Sequence, residues 1–318
     1  MKKILFISTV NAHLYQLILE GFQAYSQTIQ VDFMSNESRY KYKSKGQRVL
    51  NFLSKVFLRR NFKEVFHRKV MEKRMARLQP HYEMIFVIRP DLLTDAELQT
   101  LRQRTHKFLA YYWDTIQFFP RKKDIMPFFD KIYSFDTEDC KQYNLSLLTN
   151  FFFYEPAPAP IDKTVFSISH IEKKRFAMFN QMGKYLEEHH ISYRFLTLQS
   201  KEKLKSPYIE PLKAFIPYRE MLQLLNHYEV ILDITKPHQH GLSFRIFESL
   251  GMNKKIITNN QAVTQYDFYH PDNILVVDYD KLDLPKAFFD KPYQPIAEAI
   301  KQQYHRNTFI KTIVSNLD

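Results

Sequence analysis

Cysteine is almost missing from this chain: Cys140 is the only one in 318 residues. No intrachain disulfide can form, and a structural zinc site built on several cysteines is excluded, so a reducing compartment is expected. Glycine is scarce, with five residues, and neither GxGxxG nor GxxxxGK(S/T) occurs. That removes the simplest dinucleotide-binding and P-loop readings. No apolar run approaches the ~18 residues needed to cross a bilayer. Met1-Lys2-Lys3 followed by Ile4-Leu5-Phe6-Ile7 starts like a signal peptide, but polar Asn11 and His13 follow too soon. The run fits a first buried strand better, and a cytoplasmic protein is expected.

What is present is a chain able to build cores, at 45% hydrophobic and 15% aromatic. Its length suits two domains, since single cores stop growing near ~250–300 residues. The formal net charge is +12, and it is concentrated. Residues 36–80 hold fourteen Lys or Arg against three Glu, a local balance of +11, and leave the remainder near neutral. Such a patch attracts polyanions or an anionic membrane surface.

Apolar periodicity predicts strands at 3–8, 29–34, 83–88, 108–113, 131–135 and 147–154. Between them it predicts helices at 14–25, 49–58, 62–78, 94–104 and 137–143. Thr94-Asp95-Ala96-Glu97 has the form of an N-cap with an acidic first turn. Glu155-Pro156-Ala157-Pro158-Ala159-Pro160 reads as a semi-rigid linker. Beyond it, strands are expected at 164–169, 193–197, 230–234, 255–258 and 274–277. Helices are expected at 173–189, 217–226, 243–250 and 295–314, with Gly251 as the stop of the third. This alternation implies two doubly wound α/β domains facing across a cleft, with ligands at the carboxyl ends of the strands. The boundaries read as 1–155, an N-terminal domain carrying the basic insertion 36–80, and 161–290, a C-terminal domain. The segment 291–318 reads as a terminal helix placed to pack back toward the N-terminal domain.

The most specific segment is 231–258: strand, loop, helix N-terminus, helix, strand. Free amides at a helix start, with the helix dipole, favour an anion such as a pyrophosphate. Gly241 would let the backbone approach that anion. Ser243 could cap the helix or bond a phosphate oxygen, and Arg245 could pair with phosphate in two-pronged fashion. Glu248, a turn further on, is placed to accept from ribose hydroxyls.

His240-Gly241-Leu242-Ser243, then Phe247-Glu248-Ser249-Leu250-Gly251 and Lys255-Ile256-Ile257-Thr258, resemble the donor-site signature of GT-B glycosyltransferases. In that family two glutamates with seven residues between them precede small residues, a glycine and a buried strand. The resemblance places Glu248 at the second glutamate, on the donor ribose, whereas His240 replaces the first. Tyr112-Trp113-Asp114, Tyr133-Ser134-Phe135-Asp136-Thr137-Glu138-Asp139, and Tyr266-Asp267-Phe268-Tyr269-His270-Pro271-Asp272-Asn273-Ile274 resemble the capsular and lipopolysaccharide branch. The likeness spans roughly residues 82–314. It implies sugar transfer from a nucleotide-sugar, itself a co-substrate, with no further cofactor, onto a cell-surface glycan or glycolipid. The donor set is then Lys236, His240, Gly241, Leu242, Ser243, Arg245 and Glu248.

An inverting route needs a base for the acceptor hydroxyl. His13, after the first strand, and Asp114, ending another, are the candidates. Trp113 could stack on a sugar ring, and Arg89 ends a third strand, on the acceptor side. His238 and His240 lack a supporting carboxylate or cysteine, so no metal site is expected. Asp278-Tyr279-Asp280 reads as a polar turn, Asp136 and Asp139 as helix caps, and Cys140 carries no nucleophile signal. The basic segment, interleaved with Phe and Tyr, could suit a nucleic-acid strand. No RNP, helix-turn-helix or zinc signature accompanies it, so no nucleic-acid partner is expected. An anionic inner-membrane surface is expected instead. A non-catalytic partner of a synthase assembly is the remaining alternative.

Overall fold

Continuous apolar runs produce strands buried on both faces, as parallel sheets require. The computed structural model describes residues 1–10, 14–154, 159–170, 173–198, 205–236 and 239–317. Its first sheet is built from β1 (Lys2–Ser8), β2 (Ile29–Ser35), β3 (Tyr82–Ile88), β4 (Thr105–Tyr112), β5 (Lys131–Ser134) and β6 (Ser146–Leu147). These run in the order β2-β1-β3-β4-β5-β6, all parallel, with Ile4 opposite Val31 on one side and Met84 on the other. Ile4 to Ile7 and Met84 to Ile88 are fully buried. Helices α1 (Leu14–Tyr25), α2 (Lys45–Leu58), α3 (Phe62–Met75), α4 (Asp95–Arg102), α5 (Arg121–Asp124) and α6 (Thr137–Tyr143) connect the strands. The α4 start is the predicted cap, reinforced into a capping box by the Glu97 side chain.

The second sheet comprises β7 (Asp162–Ser169), β8 (Tyr193–Leu198), β9 (Ile209–Leu212), β10 (Tyr228–Asp233), β11 (Lys255–Thr258) and β12 (Ile274–Val276). Its order is β12-β11-β10-β7-β8-β9, again parallel throughout. Helices α7 (Lys173–Glu188), α8 (Tyr218–Asn226), α9 (Phe244–Gly251), α10 (Lys286–Asp290), α11 (Glu298–Gln303) and α12 (Arg306–Val314) accompany it. Strand order reverses between β1 and β3 in the first domain and between β7 and β10 in the second. Ligands in such folds gather at the carboxyl ends beside these switch points.

Four local expectations change. The predicted strand at 147–154 shrinks to β6, and Phe152 makes only an isolated bridge to His305. The aromatic run leaves the sheet because its rings fill gaps elsewhere: Phe151 meets Phe244 and Phe309, and Phe152 sits on α9. Gly251 is therefore not the helix stop. It is still helical, the last residue of α9, where a Cβ would come 2.5 Å from the Phe152 ring, and the left-handed position past the helix falls to Asn253, at φ 53°. The predicted helix 295–314 breaks into α11 and α12, with His305 capping the second through the Asn307 amide. The short edge strand β9 carries Pro211 and was not anticipated.

Helix α12 belongs to the core of the first domain, where Phe309, Ile310 and Ile313 pack with Ile18, Phe22 and Phe86. Leu17 of α1 conversely joins the core of the second. Glu20 bridges the two, pairing with Arg219 at 2.6 Å and Arg306 at 3.4 Å.

Candidate functional site

The second domain's switch point is the centre of interest. Strand β10 ends on Asp233, and the loop after it leads to Ser243, which precedes α9. A cavity of about 180 Å3 opens there between Ser167, Ser169, Asp233, Arg175, Ser243 and Arg245. Ser243 has the extended backbone of an N-cap but does not cap the helix. Its hydroxyl instead donates to Asp233 Oδ2 at 2.9 Å. Burial pushes the Asp233 carboxyl upward, opposed by the Ser243 bond and by Arg245. Ser169 Oγ is buried without a hydrogen-bond partner among the described residues.

Arg245 reaches the cavity with its guanidinium already oriented. One nitrogen pairs with Glu248 Oε2, and another donates to the Ile168 carbonyl at 3.1 Å. Glu248 is 3% exposed, and its other oxygen accepts from the Tyr218 hydroxyl. Burial pushes the Glu248 carboxyl up, while Arg245 and Tyr218 hold it back. In this structure, then, both Glu248 oxygens serve the protein, and Glu248 is a second layer behind Arg245.

The turn at His240 and Gly241 was expected to present free amides to a diphosphate in the groove. It does not: both amides donate to Asp136 Oδ2 of the first domain, at 2.9 and 2.8 Å. Asp136 is buried and also caps α6, with Oδ1 accepting from the Glu138 and Asp139 amides. Gly241 is needed for protein contact here, since a Cβ would lie 2.6 Å from the Phe135 ring and 2.7 Å from its carbonyl oxygen. Leu242 is buried, and its carbonyl accepts from Asn150 at 2.9 Å. The anion-binding position of that turn is thus filled by a carboxylate from the opposite domain.

On the facing wall, Arg89 and Asp114 come together. Arg89 holds Asp91 through two nitrogens, at 2.9 and 2.7 Å, and lies 3.6 Å from Asp114 Oδ2. Its backbone is left-handed, φ 60°, uncommon for a residue with a side chain. The Arg89 guanidinium stacks 4.0 Å from the Phe119 ring centre. Burial pushes the Asp114 carboxyl up, against the pull of Lys122, Arg89 and Lys236. Lys236 belongs to the second domain, so this electrostatic contact joins the two walls, with its ammonium 5.2 Å from the Phe118 ring. Trp113 packs against the first domain's core. His13 and His238 lie outside the described residues.

Sequence reasoning missed Asp136 as an interdomain group, Asp233 and Ser169 at the cavity, Tyr218 behind Glu248, and Lys122 beneath Asp114. Asp233 was detectable as the polar residue ending a buried strand. Tyr218 gives no local signal, because it meets Glu248 from thirty residues away.

No family model matches the chain, and no curated protein matches it in sequence. Solved structures resemble it over its whole length. A UDP-forming α,α-trehalose-phosphate synthase from Burkholderia xenovorans is 12% identical over 100% of this chain and 99% of its own, with a TM-score of 0.61. S. aureus MnaA, solved with UDP, is 12% identical over 100% and 96%, with a TM-score of 0.54. An α-glucosyltransferase solved with UDP-glucose and abasic DNA is 11% identical over 100% and 95%, at 0.53. The two six-stranded parallel sheets and the end-to-end matches establish the fold: this chain has the two-domain GT-B fold. The names of all three neighbours include UDP.

Proposed function

We propose that this chain is a glycosyltransferase that takes a sugar from a UDP-sugar and places it on a glycan or glycolipid of capsule, lipopolysaccharide or lipooligosaccharide. The cavity at the β7/β10 switch point, with Arg245 held at its wall by Glu248, carries this reading. It is smaller than the ~300 Å3 at which whole-ligand pockets begin, and suits the diphosphate portion of a donor. Arg245 supplies a fixed guanidinium for phosphate, and Ser243 and Ser169 supply hydroxyls. Lys236 adds positive charge toward the leaving group, so the arrangement needs no metal ion. The acceptor hydroxyl meets Asp114, whose burial raises its affinity for a proton. Asp114 takes that proton as the hydroxyl oxygen bonds the anomeric carbon. The bond from that carbon to phosphate breaks, and UDP leaves. Arg89 holds Asp114 in place, and Trp113 lies beside it. The basic segment 36–80 lies toward an anionic inner-membrane surface, where such acceptors reside.

Thermal shift against UDP, GDP, CMP and ADP tests the donor, since a nucleotide that binds the native state stabilises it by mass action. UDP should raise Tm, and Arg245→Ala should weaken UDP at least tenfold by calorimetry. No stabilisation by any nucleotide, together with no turnover of a UDP-sugar, would remove the assignment.

A further inference from the structure

Helix α2 is built inside out. Its polar Asn51 and Ser54 face the protein and are buried. Asn51 donates to the Tyr42 hydroxyl at 2.8 Å and accepts from the Phe62 amide at 2.7 Å. Ser54 donates to the Arg60 carbonyl at 2.9 Å. The apolar side chains point away: Val49, Leu50, Phe52, Leu53, Val56 and Phe57 are 41 to 76% exposed. At about 100° per residue they fill an arc of about 160° on one face. A soluble helix normally turns that face inward, and contiguous exposed apolar patches mark interaction sites.

The charge around the helix identifies the occupant. Residues 38–63 contain nine Lys or Arg and no Asp or Glu. Lys45, Arg48 and Lys55 lie on the helix itself, and Arg59 and Arg60 follow its end. A second copy docked face to face would bring these cations together. An anionic bilayer meets both features, accepting the apolar face among its acyl chains and the cations at its headgroups. Among the described residues no helix is long and apolar enough to cross a membrane. We infer that α2 is an in-plane membrane anchor, with Phe52 and Phe57 entering the acyl region of an anionic bilayer. The inference deepens the reading of a membrane-borne acceptor, yet vesicle binding is scored without turnover.

The test uses the full chain with vesicles of phosphatidylglycerol and phosphatidylethanolamine, and with phosphatidylcholine vesicles as the neutral control. Co-sedimentation is expected on the anionic vesicles and weakens with salt. Phe52→Asp with Phe57→Asp should lower binding at least tenfold while leaving Tm and UDP affinity unchanged, because both side chains are exposed. Phe57→Trp should blue-shift and be quenched by brominated lipid, whereas the native Trp113 in the parent chain should not. Absence of binding at low salt, binding unaffected by the double substitution, or no quenching of Phe57→Trp would each overturn the anchor. A concentration-dependent dimer that the double substitution breaks, without vesicle binding, would assign the face to a second copy. Vesicle binding without UDP binding would sink the proposed transferase and leave the anchor standing.

Discussion

The two domains furnish their switch points in different ways. At β7/β10 the charged groups satisfy one another: Asp233 with Ser243, and Arg245 with Glu248 and the Ile168 carbonyl. Tyr218 closes the set by donating to Glu248. At β1/β3, Ser8 Oγ and Asn36 Oδ1 are buried with no hydrogen-bond partner among the described residues. Arg89 stands next to them in a left-handed conformation. A paired charge network fixes one guanidinium in advance, as a constant group such as phosphate requires. Unmet polar atoms instead cost about 1–3 kcal/mol each and leave hydrogen-bonding capacity for a ligand. The comparison separates a wall whose charged groups are paired in advance, with only a hydroxyl such as that of Ser169 left open, from one whose unmet atoms lie on Ser8 and Asn36, as the proposed donor and acceptor sides would require.

The strongest way to break that comparison is Glu248→Ala. It strands the buried Tyr218 hydroxyl and removes the partner of the partly buried Arg245 guanidinium, and a loss of about 3 kcal/mol is expected. Calorimetry should show a Tm several degrees lower, with Glu248→Gln milder because an amide oxygen can still accept from Tyr218. An unchanged Tm would mean that the network is not a structural unit.

Lys122 tests the opposite wall. It is fully buried, with its ammonium donating to the Asp114 carbonyl at 2.5 Å, and burial lowers its pKa to about 8. The unfolded chain keeps a lysine near ~10.4. Between those values the unfolded state binds more protons, so stability should rise with pH from about 8 to about 10. The gain amounts to at most about 3 kcal/mol. Chemical denaturation at pH 7.5 and 9.5 should show the rise, and Lys122→Met should flatten it. A parallel rise in both proteins would assign it to other groups.

Ser8→Ala gives the smallest effect and sharpens the contrast most. Removing a buried hydroxyl that has no partner should leave stability unchanged or raise it by about 1 kcal/mol. A clear loss in urea midpoint would reveal a hydrogen bond at that position and erase the difference between the walls.

The sequence by itself determined the alternation of strands and helices. Residues 14–25, 137–143 and 255–258 fold as periodicity indicates, because local burial leaves a 3.6-residue or continuous apolar pattern. It also marked 240–251 as a special turn and helix, and gathered Arg89 and Asp114 at strand ends. It could not show that Asp136 would occupy the turn's amides, since those groups are a hundred residues apart and each also satisfies a local rule. Gly241 invited a phosphate explanation, while Phe135 supplies the close approach. The basic charge of 36–80 was plain, yet α2's outward apolar face was not. An apolar stripe records only that a helix has two sides, and which side meets the protein is settled by Tyr42, Phe62 and Arg60 bonding its polar one. Pairing between distant residues belongs to the tertiary structure because it depends on where the sheets bring their ends, and no local pattern encodes that distance.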